Sequence, residues 1–459
     1  MGRSQSLRRA SEEAGRNVPR QLREVRQRGG GDEERRTESL TRTPRDKRTS
    51  RFEILRDPVW NNIRIDELTR KLVDTEVFQR LRYVRQLGWT YLVYPGATHS
   101  RFEHALGTHH LSRRTLALLC EAEHSVSISE EEQTVVRSAA LLHDVGHYPF
   151  SHALEEIGAL HHEDVARPLI TEGSVASLLS SQISSEAPGK VFDLIRGRSR
   201  SPLQGLISGS LDLDKIEYLK RDAFMCGVPY GEIDVDRLTN SLVIVEDPDS
   251  GESTLGVQEK ALSALESLLF AKYQMYRNVY WHHAVRSATA MYKRLVEDAV
   301  NTRVISVESL ARYTDEGLMH RFEGERPTAL LTALKERRLY KRAAEWPAAE
   351  LDVDRVEWIA TDRRRVADAE NELAEDFGLA PGELLLDYPL KTQMLGLDIP
   401  VLRRNGKVER LTSEGWIGTI NLPSLSDELY RSARWLRVYT AKRAALDPRR
   451  ILDALERSH

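Results

Sequence analysis

The chain of 459 residues is 40 % hydrophobic and 30 % charged, and its formal net charge is -3. It is long enough to bury one large core or two ordinary ones, and polar enough to stay soluble. No stretch approaches the roughly 18 apolar residues of a membrane span, and the amino terminus lacks the apolar block of a secretory signal, so we expect a cytoplasmic protein without membrane contact. The two cysteines, Cys120 and Cys226, lack CxxC spacing and indicate neither a zinc ribbon nor a disulfide framework.

The first 50 residues differ in charge from the rest of the chain. They hold 14 Lys/Arg against 8 Asp/Glu, whereas the remaining residues hold 53 against 62. Because large apolar residues are few here, burial cannot offset the entropy lost on ordering, and we predict a disordered basic tail over residues 1–50. A weak nucleic-acid contact through this tail is the alternative to a solvated leader.

From Phe52 onwards the pattern becomes helical. The segment LTRKLVDTEVFQRLRYVRQLG places apolar residues at helical spacing, which predicts a helix that ends at Gly88. Two further helices are predicted over RFEHALGTHHLSRRTLALLCEAEH and SEEEQTVVRSAALLHDVG. Ser129 can cap the second of these, with Glu132 three residues later, and Gly146 ends it.

Helical patterns dominate the remainder of the chain. Shorter helices are predicted over HHEDVARPLI, VASLLSSQI, GKVFDLIRG and LDLDKIEYLKRDAFMCG, followed by a long helix over residues 260–300. The segment SLVIVEDPDSGESTLGV predicts a β-hairpin, and a second hairpin is predicted around the Asn405-Gly406 turn. The fold is therefore predicted to be mainly α, with a helical carboxyl-terminal region and a small mixed α+β element.

The motif LLHDVGHYPFSH, residues 141–152, is unusually rich in histidine. His143 and Asp144 lie at the end of a predicted helix, where both side chains can converge on one ion. A hydrolytic centre needs further ligands, and His104 and Asp214 are polar residues in otherwise apolar helices. Two imidazoles and two carboxylates suit a six-coordinate divalent ion of Mn, Mg, Fe, Ni or Zn, with two positions left for water and a phosphate oxygen.

The order H…HD…D, within HSRFEHALG, LLHDVGHYPFSH and LDLDKIEYLKRD, resembles the HD-domain phosphohydrolases. More narrowly it resembles their deoxynucleoside triphosphate triphosphohydrolase branch, which includes the bacterial dGTPases and the mammalian SAM-and-HD-domain dNTPase. The resemblance implies an HD-domain helical bundle over residues 51–300, between the tail of residues 1–50 and a carboxyl-terminal region over residues 301–459. It also implies hydrolysis of a dNTP at the α-phosphorus to a deoxynucleoside and inorganic triphosphate.

The resemblance assigns roles to individual residues. The four matches to the family's metal ligands are His104, His143, Asp144 and Asp214. His162 matches a general acid and Glu155 the carboxylate paired with it, a contact that would raise the pKa of the His162 imidazole and keep it protonated near pH 7. His147, grouped with these catalytic residues, and His152 match histidines that contact the triphosphate. The remaining matches are to phosphate contacts (Arg101, Lys215, Tyr218), to partners of the 3′-hydroxyl (Gln86, Asp222) and to residues packed where a 2′-hydroxyl would lie (Leu87, Tyr280).

Two alternatives stay open at this point. One is an HD phosphohydrolase that acts on another nucleotide or nucleic-acid phosphoester, although the GYP signature of cyclic dinucleotide HD enzymes is absent. The other is a non-catalytic, nucleotide-sensing or nucleic-acid-binding HD protein. Members of the family commonly form homo-oligomers, often with allosteric nucleotides between subunits, so we expect a homo-oligomer and treat an allosteric nucleotide as a hypothesis.

Overall fold

The computed structural model describes residues 52–121, 127–324, 328–390, 398–410 and 421–457. The disorder predicted for residues 1–50 lies outside these ranges. The described part of the chain is mainly α, as predicted. None of its helices combines the length and the apolar character that are needed to cross a membrane. The predicted division of the folded part at residue 300 stays a prediction.

The described chain begins with a hairpin that the sequence analysis did not predict. Strands β1 (Glu53–Asp57) and β2 (Asn61–Ile65) pair antiparallel. The single helix predicted up to Gly88 is wrong, since the chain forms α1 (Glu67–Val73), α2 (Glu76–Gln79) and two short 3-10 helices instead. Thr75 interrupts the helix, because its hydroxyl accepts the backbone N–H of Phe78 and caps a new one.

A group of packed helices follows, and most of the predicted site residues lie on these helices or in the turns between them. Its members are α3 (Arg101–Glu121), α4 (Glu130–Leu142), α5 (His162–Thr171), α6 (Gly173–Gln182), α7 (Ala187–Ile195) and α8 (Leu213–Cys226). Ser129 caps α4 through the N–H of Glu132, as predicted. Leu111 in α3, Leu141 in α4 and Leu219 in α8 are fully buried in the core between these helices.

Gly146 lets the chain after α4 pass directly against the start of α5. A Cβ atom at this position would lie 2.0 Å from the carbonyl oxygen of His162 and 2.6 Å from the backbone nitrogen of Ala166. Only a residue without a side chain fits so close a backbone contact. The turn that follows α4 and the first turn of α5 are therefore packed as one unit.

The long helix predicted over residues 260–300 is interrupted by a π-helical turn and forms two helices instead of one. The elements of this region are α9 (Val235–Thr239), β3 (Leu242–Glu246), β4 (Ser253–Gln258), α10 (Leu262–Met275), a π-helical turn (Tyr276–Tyr280) and α11 (His283–Asn301). The side chain of His282 accepts the N–H of Ala284 and caps α11. π-Helical turns such as Tyr276–Tyr280 often occur at functional sites. Here the turn brings the hydroxyl of Tyr280 to 2.6 Å from Asp222 Oδ2.

The carboxyl-terminal part contains more strand than the sequence predicts. Its elements are α12 (Asp315–Glu323), α13 (Ala329–Lys335), β5 (Lys341–Pro347), α14 (Val353–Val356), α15 (Trp358–Thr361), α16 (Arg363–Asp376), β6 (Leu384–Asp387), β7 (Pro400–Leu402), β8 (Val408–Arg410), α17 (Leu422–Ala433), β9 (Trp435–Thr440) and α18 (Pro448–Arg457). Strand β9 pairs antiparallel with both β5 and β6. The two predicted hairpins, β3–β4 and β7–β8, are confirmed, and they join into one sheet through a parallel pairing of β4 with β7.

Candidate active site

The four predicted metal ligands lie together where α3, α4 and α8 meet. His104 is in the first turn of α3, His143 and Asp144 directly follow α4, and Asp214 is in the first turn of α8. The Nε2 atom of His104 is 2.9 Å from Asp214 Oδ1, 3.2 Å from His143 Nε2 and 3.7 Å from Asp144 Oδ2. His143 Nε2 lies 3.5 Å from an oxygen of each carboxylate. The ligand atoms of these four side chains therefore form one compact cluster.

Hydrogen bonds on the far side of each ring fix the tautomers of the two histidines. His104 Nδ1 donates to Glu217 Oε2 at 2.6 Å, and His143 Nδ1 donates to the backbone oxygen of Ala140 at 2.9 Å. Because both partners only accept, a proton stays on each Nδ1 atom, so when a cation replaces the proton on Nε2, the lone pair of that atom faces the cluster. Two such lone pairs and two carboxylates facing one another are satisfied by a divalent cation, so the residues fit a metal ion.

The pKa values of the cluster reflect its excess of negative charge. Burial opposes protonation of His104, but hydrogen bonds to Asp214 and Glu217 raise its pKa to about 10. Burial likewise opposes ionisation of Asp214, yet hydrogen bonds from His104 and His143 hold its pKa well below the usual range. A cluster that stabilises positive charge on its imidazoles also attracts a cation, which competes with protons for the same nitrogen atoms.

Glu217, one helical turn after Asp214 in α8, is a site residue that the sequence analysis missed. Its side chain is fully buried, and Oε1 accepts from Trp60 Nε1 at 2.8 Å and from Arg221 Nε at 2.7 Å. Arg221 in turn binds Asp57 of β1 at 2.9 Å. A carboxylate behind a metal-binding imidazole orients the ring and raises its basicity. The sequence feature that could have revealed Glu217 is the helical spacing of Asp214, Glu217 and Arg221, which places three charged groups on one face of α8.

Cationic and imidazole groups line the cleft beside the ligand cluster. Arg101 is 2 % exposed, and its Nη1 atom donates to Asp144 Oδ2 at 2.6 Å. Within the described residues its Nη2 atom has no hydrogen-bond partner, so one buried donor is left for an anion. His147 lies 3.1 Å from Asp144 and stacks on His162 with ring centroids 3.7 Å apart, while His152 is largely exposed to solvent.

Lys215 and Tyr218, both on α8, also line this cleft. The Lys215 amine donates to the Gly209 carbonyl oxygen at 2.8 Å and is paired with the Asp212 carboxylate. Burial would lower the pKa of Lys215, but Asp212 raises it, so the amine stays charged. Gly209 and Asp212 occupy two of the three N–H donors of this ammonium group, which leaves one donor for a phosphate.

His162 and Glu155 form the pair that the resemblance implied. His162 Nδ1 donates to Glu155 Oε1 at 2.7 Å, and Glu155 Oε2 lies 3.4 Å from His152 Nδ1. The expected rise of the His162 pKa is wrong for the site without substrate, because burial lowers this pKa more than Glu155 raises it. Contacts with His152 and His162 hold the pKa of Glu155 well below its usual range despite burial. An anionic phosphate beside the ring would favour its protonated form.

The predicted sugar contacts lie in a second cavity of about 390 Å³. Leu87, Tyr280 and Trp281 contribute apolar surface to its lining. The two oxygens of Asp222 are bound to His99 Nε2 at 2.8 Å and to the Tyr280 hydroxyl at 2.6 Å, and His99 was not predicted. In the described part of the chain, the buried Gln86 Oε1 atom has no hydrogen-bond partner.

The two cavities share part of their lining. The metal-ligand cleft has a volume of about 300 Å³, and the residues common to both linings are Gln86, Arg101, His152 and Tyr218. At one end this space is lined by the predicted metal ligands and by cationic and imidazole groups, and at the other by apolar side chains together with the Glu156–Arg286 ion pair. Such a site suits an elongated ligand with a highly charged part and an apolar ring system.

Comparison with known proteins gives two family matches in this chain. An HD domain matches residues 101–204, which include three of the four clustered ligands, and an HD associated region matches residues 233–442. The uncharacterized protein MJ1154 of Methanocaldococcus jannaschii is 33 % identical over 342 residues, which cover 74 % of this chain and 70 % of that protein.

Two further relatives extend the comparison. The deoxynucleoside triphosphate triphosphohydrolase SAMHD1 homolog of Dictyostelium discoideum is 27 % identical over 369 residues, which cover 75 % of this chain and 68 % of that protein. A crystal structure of a hypothetical protein from Aquifex aeolicus, 26 % identical, covers 89 % of this chain and 100 % of its own with a TM-score of 0.65. The helical fold, the clustered histidines and aspartates and these matches together show that the chain belongs to the HD-domain phosphohydrolase superfamily.

Proposed function

We propose that this protein is a metal-dependent hydrolase of deoxynucleoside triphosphates, dGTP or several dNTPs, that acts in control of the dNTP pool. The observation that carries the proposal is that the metal-ligand cleft adjoins a cavity of about 390 Å³ and shares four lining residues with it, Gln86, Arg101, His152 and Tyr218. Similarity to the Dictyostelium deoxynucleoside triphosphate triphosphohydrolase homolog supports the same substrate class. The products are a deoxynucleoside and inorganic triphosphate.

A divalent metal ion is part of the proposal. Its ligands would be His104, His143, Asp144 and Asp214, and Mn, Mg, Fe, Ni and Zn are the candidate ions. When bound, such an ion lowers the pKa of its water toward neutrality and polarises a phosphate oxygen. Glu217 keeps the His104 ring in the tautomer that such binding requires.

The remaining polar residues of the cleft bind and orient the phosphates. Arg101 offers its unpaired Nη2 donor, and His147, His152, Lys215 and Tyr218 surround the same space. Charged and hydroxyl donors of this kind suit a tetra-anionic triphosphate, since hydrogen bonds to charged groups are the strong ones. Their positions orient the α-phosphorus for attack by water.

His162 is proposed to donate the proton that the reaction needs. Water forms the new bond to the α-phosphorus and releases one proton to the solvent, while the bond from this phosphorus to O5′ breaks. The proton passes from His162 to O5′, and Glu155 holds the imidazole through Nδ1. Bound phosphate raises the pKa of His162 and so supplies the protonated ring only when substrate is present.

The apolar cavity is proposed to select the sugar. Gln86 and Asp222 would hydrogen-bond the 3′-hydroxyl, and Leu87 and Tyr280 would occupy the space of a 2′-hydroxyl. A ribonucleotide would then meet a steric conflict and bury an unpaired hydroxyl.

Product analysis tests the proposal. Purified protein is incubated with Mn²⁺ or Mg²⁺ and each of the four dNTPs and four ribonucleotides, and the products are separated by ion-exchange chromatography. Deoxynucleoside and intact triphosphate are expected from dNTPs only, and Asp144→Ala is expected to abolish both. Turnover that persists in Asp144→Ala would contradict the proposed metal site, and the absence of any product would favour another phosphoester or a binding role.

Regulation by a second nucleotide and homo-oligomer formation are further parts of the proposal. A separate cavity of about 460 Å³ is lined by cationic and imidazole side chains, namely Arg337, Lys341, Arg342, Arg443 and His283. Such a lining suits phosphate groups. Turnover of one pure dNTP with and without a second one, followed by sedimentation analysis, tests both expectations.

A further inference from the structure

The segment 149–157, which we call the His152 segment, carries both His152 and Glu155. Its backbone is strained at the start, because Phe150 and Ser151 adopt left-handed φ angles of 57° and 65°. Residues other than glycine keep such conformations only where surrounding contacts hold them. The structure contains contacts of this kind at both ends of the segment.

The amino end is held by Asp315, the first residue of α12. The backbone N–H of Phe150 donates to Asp315 Oδ1 at 2.8 Å, and the N–H of Arg85 donates to Oδ2 at 3.0 Å. Asp315 is fully buried. The Ser151 hydroxyl is 2.7 Å from the carbonyl oxygen of Arg85 and accepts from Arg101 Nε at 3.1 Å. The strained residues are therefore fixed by partners from α12, from α3 and from the chain before α3.

The carboxyl end is held by an ion network around Glu156. Its carboxylate accepts from Arg286 Nη1 at 3.0 Å and Nη2 at 2.9 Å, and from Lys293 Nζ at 2.8 Å. Arg286 also binds Asp387 of β6, with Nε at 2.9 Å and Nη2 at 2.6 Å. Arg286, Lys293 and Asp387 are at most 5 % exposed, and the two positive charges of this network balance the two negative ones. Removing one partner of such a network leaves an uncompensated buried charge.

We propose that Glu156 and Asp387 are positioning residues, which place Glu155 and His152 through the Arg286 network. This inference rests on the proposed function only for its catalytic consequence. Glu155 precedes Glu156 in the chain, so a shift of Glu156 moves the carboxylate that holds His162. Through Asp387, the region after residue 301 thereby acts on the proton donor.

The test compares Glu156→Gln and Asp387→Asn with a matched control, Glu297→Gln. Glu297 lies on the same helix as Arg286 and accepts from Arg363 Nε at 2.6 Å. Neither Glu297 nor Asp387 lines the cavity of about 390 Å³, whereas Glu156 and Arg286 do, so Asp387→Asn separates positioning from direct substrate contact. Both positioning variants are expected to lower kcat at least tenfold, and Asp387→Asn is expected to do so with KM changed less than threefold, since misplaced catalytic groups slow turnover rather than binding. Faster amide exchange is expected in a peptide covering residues 149–158. The control is expected to change neither quantity.

Each outcome decides the proposal. An unchanged kcat and unchanged exchange in both positioning variants would overturn it, and so would equal effects in the control. If only one positioning variant folds, that variant is compared with the control by the same criteria. Wild-type protein without dNTP turnover would count against the proposed function, whereas the exchange comparison would still decide whether the Arg286 network holds the His152 segment.

Discussion

The side chain of His104 has a hydrogen-bond partner at each ring nitrogen, and the two partners act differently. On one side its Nε2 atom faces the ligand cluster, and on the other its Nδ1 atom donates to the buried Glu217. Partners of this kind behind a metal-binding imidazole typically change metal affinity 10- to 100-fold when they are removed. We therefore expect Glu217→Gln to weaken Mn²⁺ binding by roughly this factor, as measured by calorimetric titration.

Glu121→Gln is the control for this prediction. Glu121 is exposed at the end of α3, so its substitution should leave Mn²⁺ affinity unchanged. Equal affinities of wild type and Glu217→Gln would show that Glu217 has no part in the metal site.

The pKa of His162 predicts a difference between two pH profiles. Burial holds this pKa below its usual range in the free protein, and we expect the negative charge of a bound phosphate to raise it. A general acid must be protonated, so activity falls as pH rises through its pKa. The profile of kcat/KM, which reports the free enzyme, should therefore begin to fall at a lower pH than the profile of kcat. If kcat and kcat/KM began to fall at the same pH, the assignment of His162 as the general acid would be contradicted.

At the scale of elements, the backbone of the turn after α4 lies directly against the backbone at the start of α5. Gly146→Ala would put a Cβ atom 2.0 Å from the carbonyl oxygen of His162, so one of the two segments must move. We expect a loss of about 1–3 kcal/mol in the free energy of unfolding, together with reduced turnover, since His162 moves with α5. Urea denaturation and steady-state kinetics measure the two effects.

Gly189→Ala in α7 is the matched control. A Cβ atom at Gly189 would have no neighbour within 4 Å, so alanine should raise stability by up to about 1 kcal/mol through its better helix propensity. A Gly146→Ala protein as stable and active as the Gly189→Ala protein would contradict the packing argument.

Local sequence patterns predicted most helices because these elements follow from spacing and caps. The cap of α4 by Ser129 is one case, since residues three apart are enough to recognise it. The break at Tyr276–Tyr280 could not be predicted in this way, because the apolar pattern continues through it. The parallel pairing of β4 with β7 depends on strands from distant parts of the chain, which local patterns do not indicate.

Within the candidate site, the residues that belong to local motifs could be predicted from the sequence, and those defined by contacts between distant segments could not. The four clustered ligands follow from motifs and a resemblance. Glu217 and His99 were missed because their importance depends on contacts across helices, at 2.6 Å to His104 and 2.8 Å to Asp222. The lowered pKa of His162 was also missed, since burial is a property of the fold.

For the whole molecule, a metal ion should act as a stabilising ligand. The cluster exists only in the folded chain, where four side chains from three parts of the sequence meet. A ligand of the folded state at 100 times its Kd adds about 2.7 kcal/mol to the free energy of unfolding. We expect Mn²⁺ to raise the Tm of the metal-free protein in calorimetry, and to leave the Tm of Asp214→Asn almost unchanged. Equal shifts in both proteins would mean that the ion binds elsewhere.

The measurement that tests the central claim most directly is hydrolysis of a dNTP in H₂¹⁸O, with mass spectrometry of both products. The proposed attack of water on the α-phosphorus predicts one ¹⁸O atom in inorganic triphosphate and none in the deoxynucleoside. A deoxynucleoside monophosphate or diphosphate as the product, or ¹⁸O in the deoxynucleoside, would contradict the account.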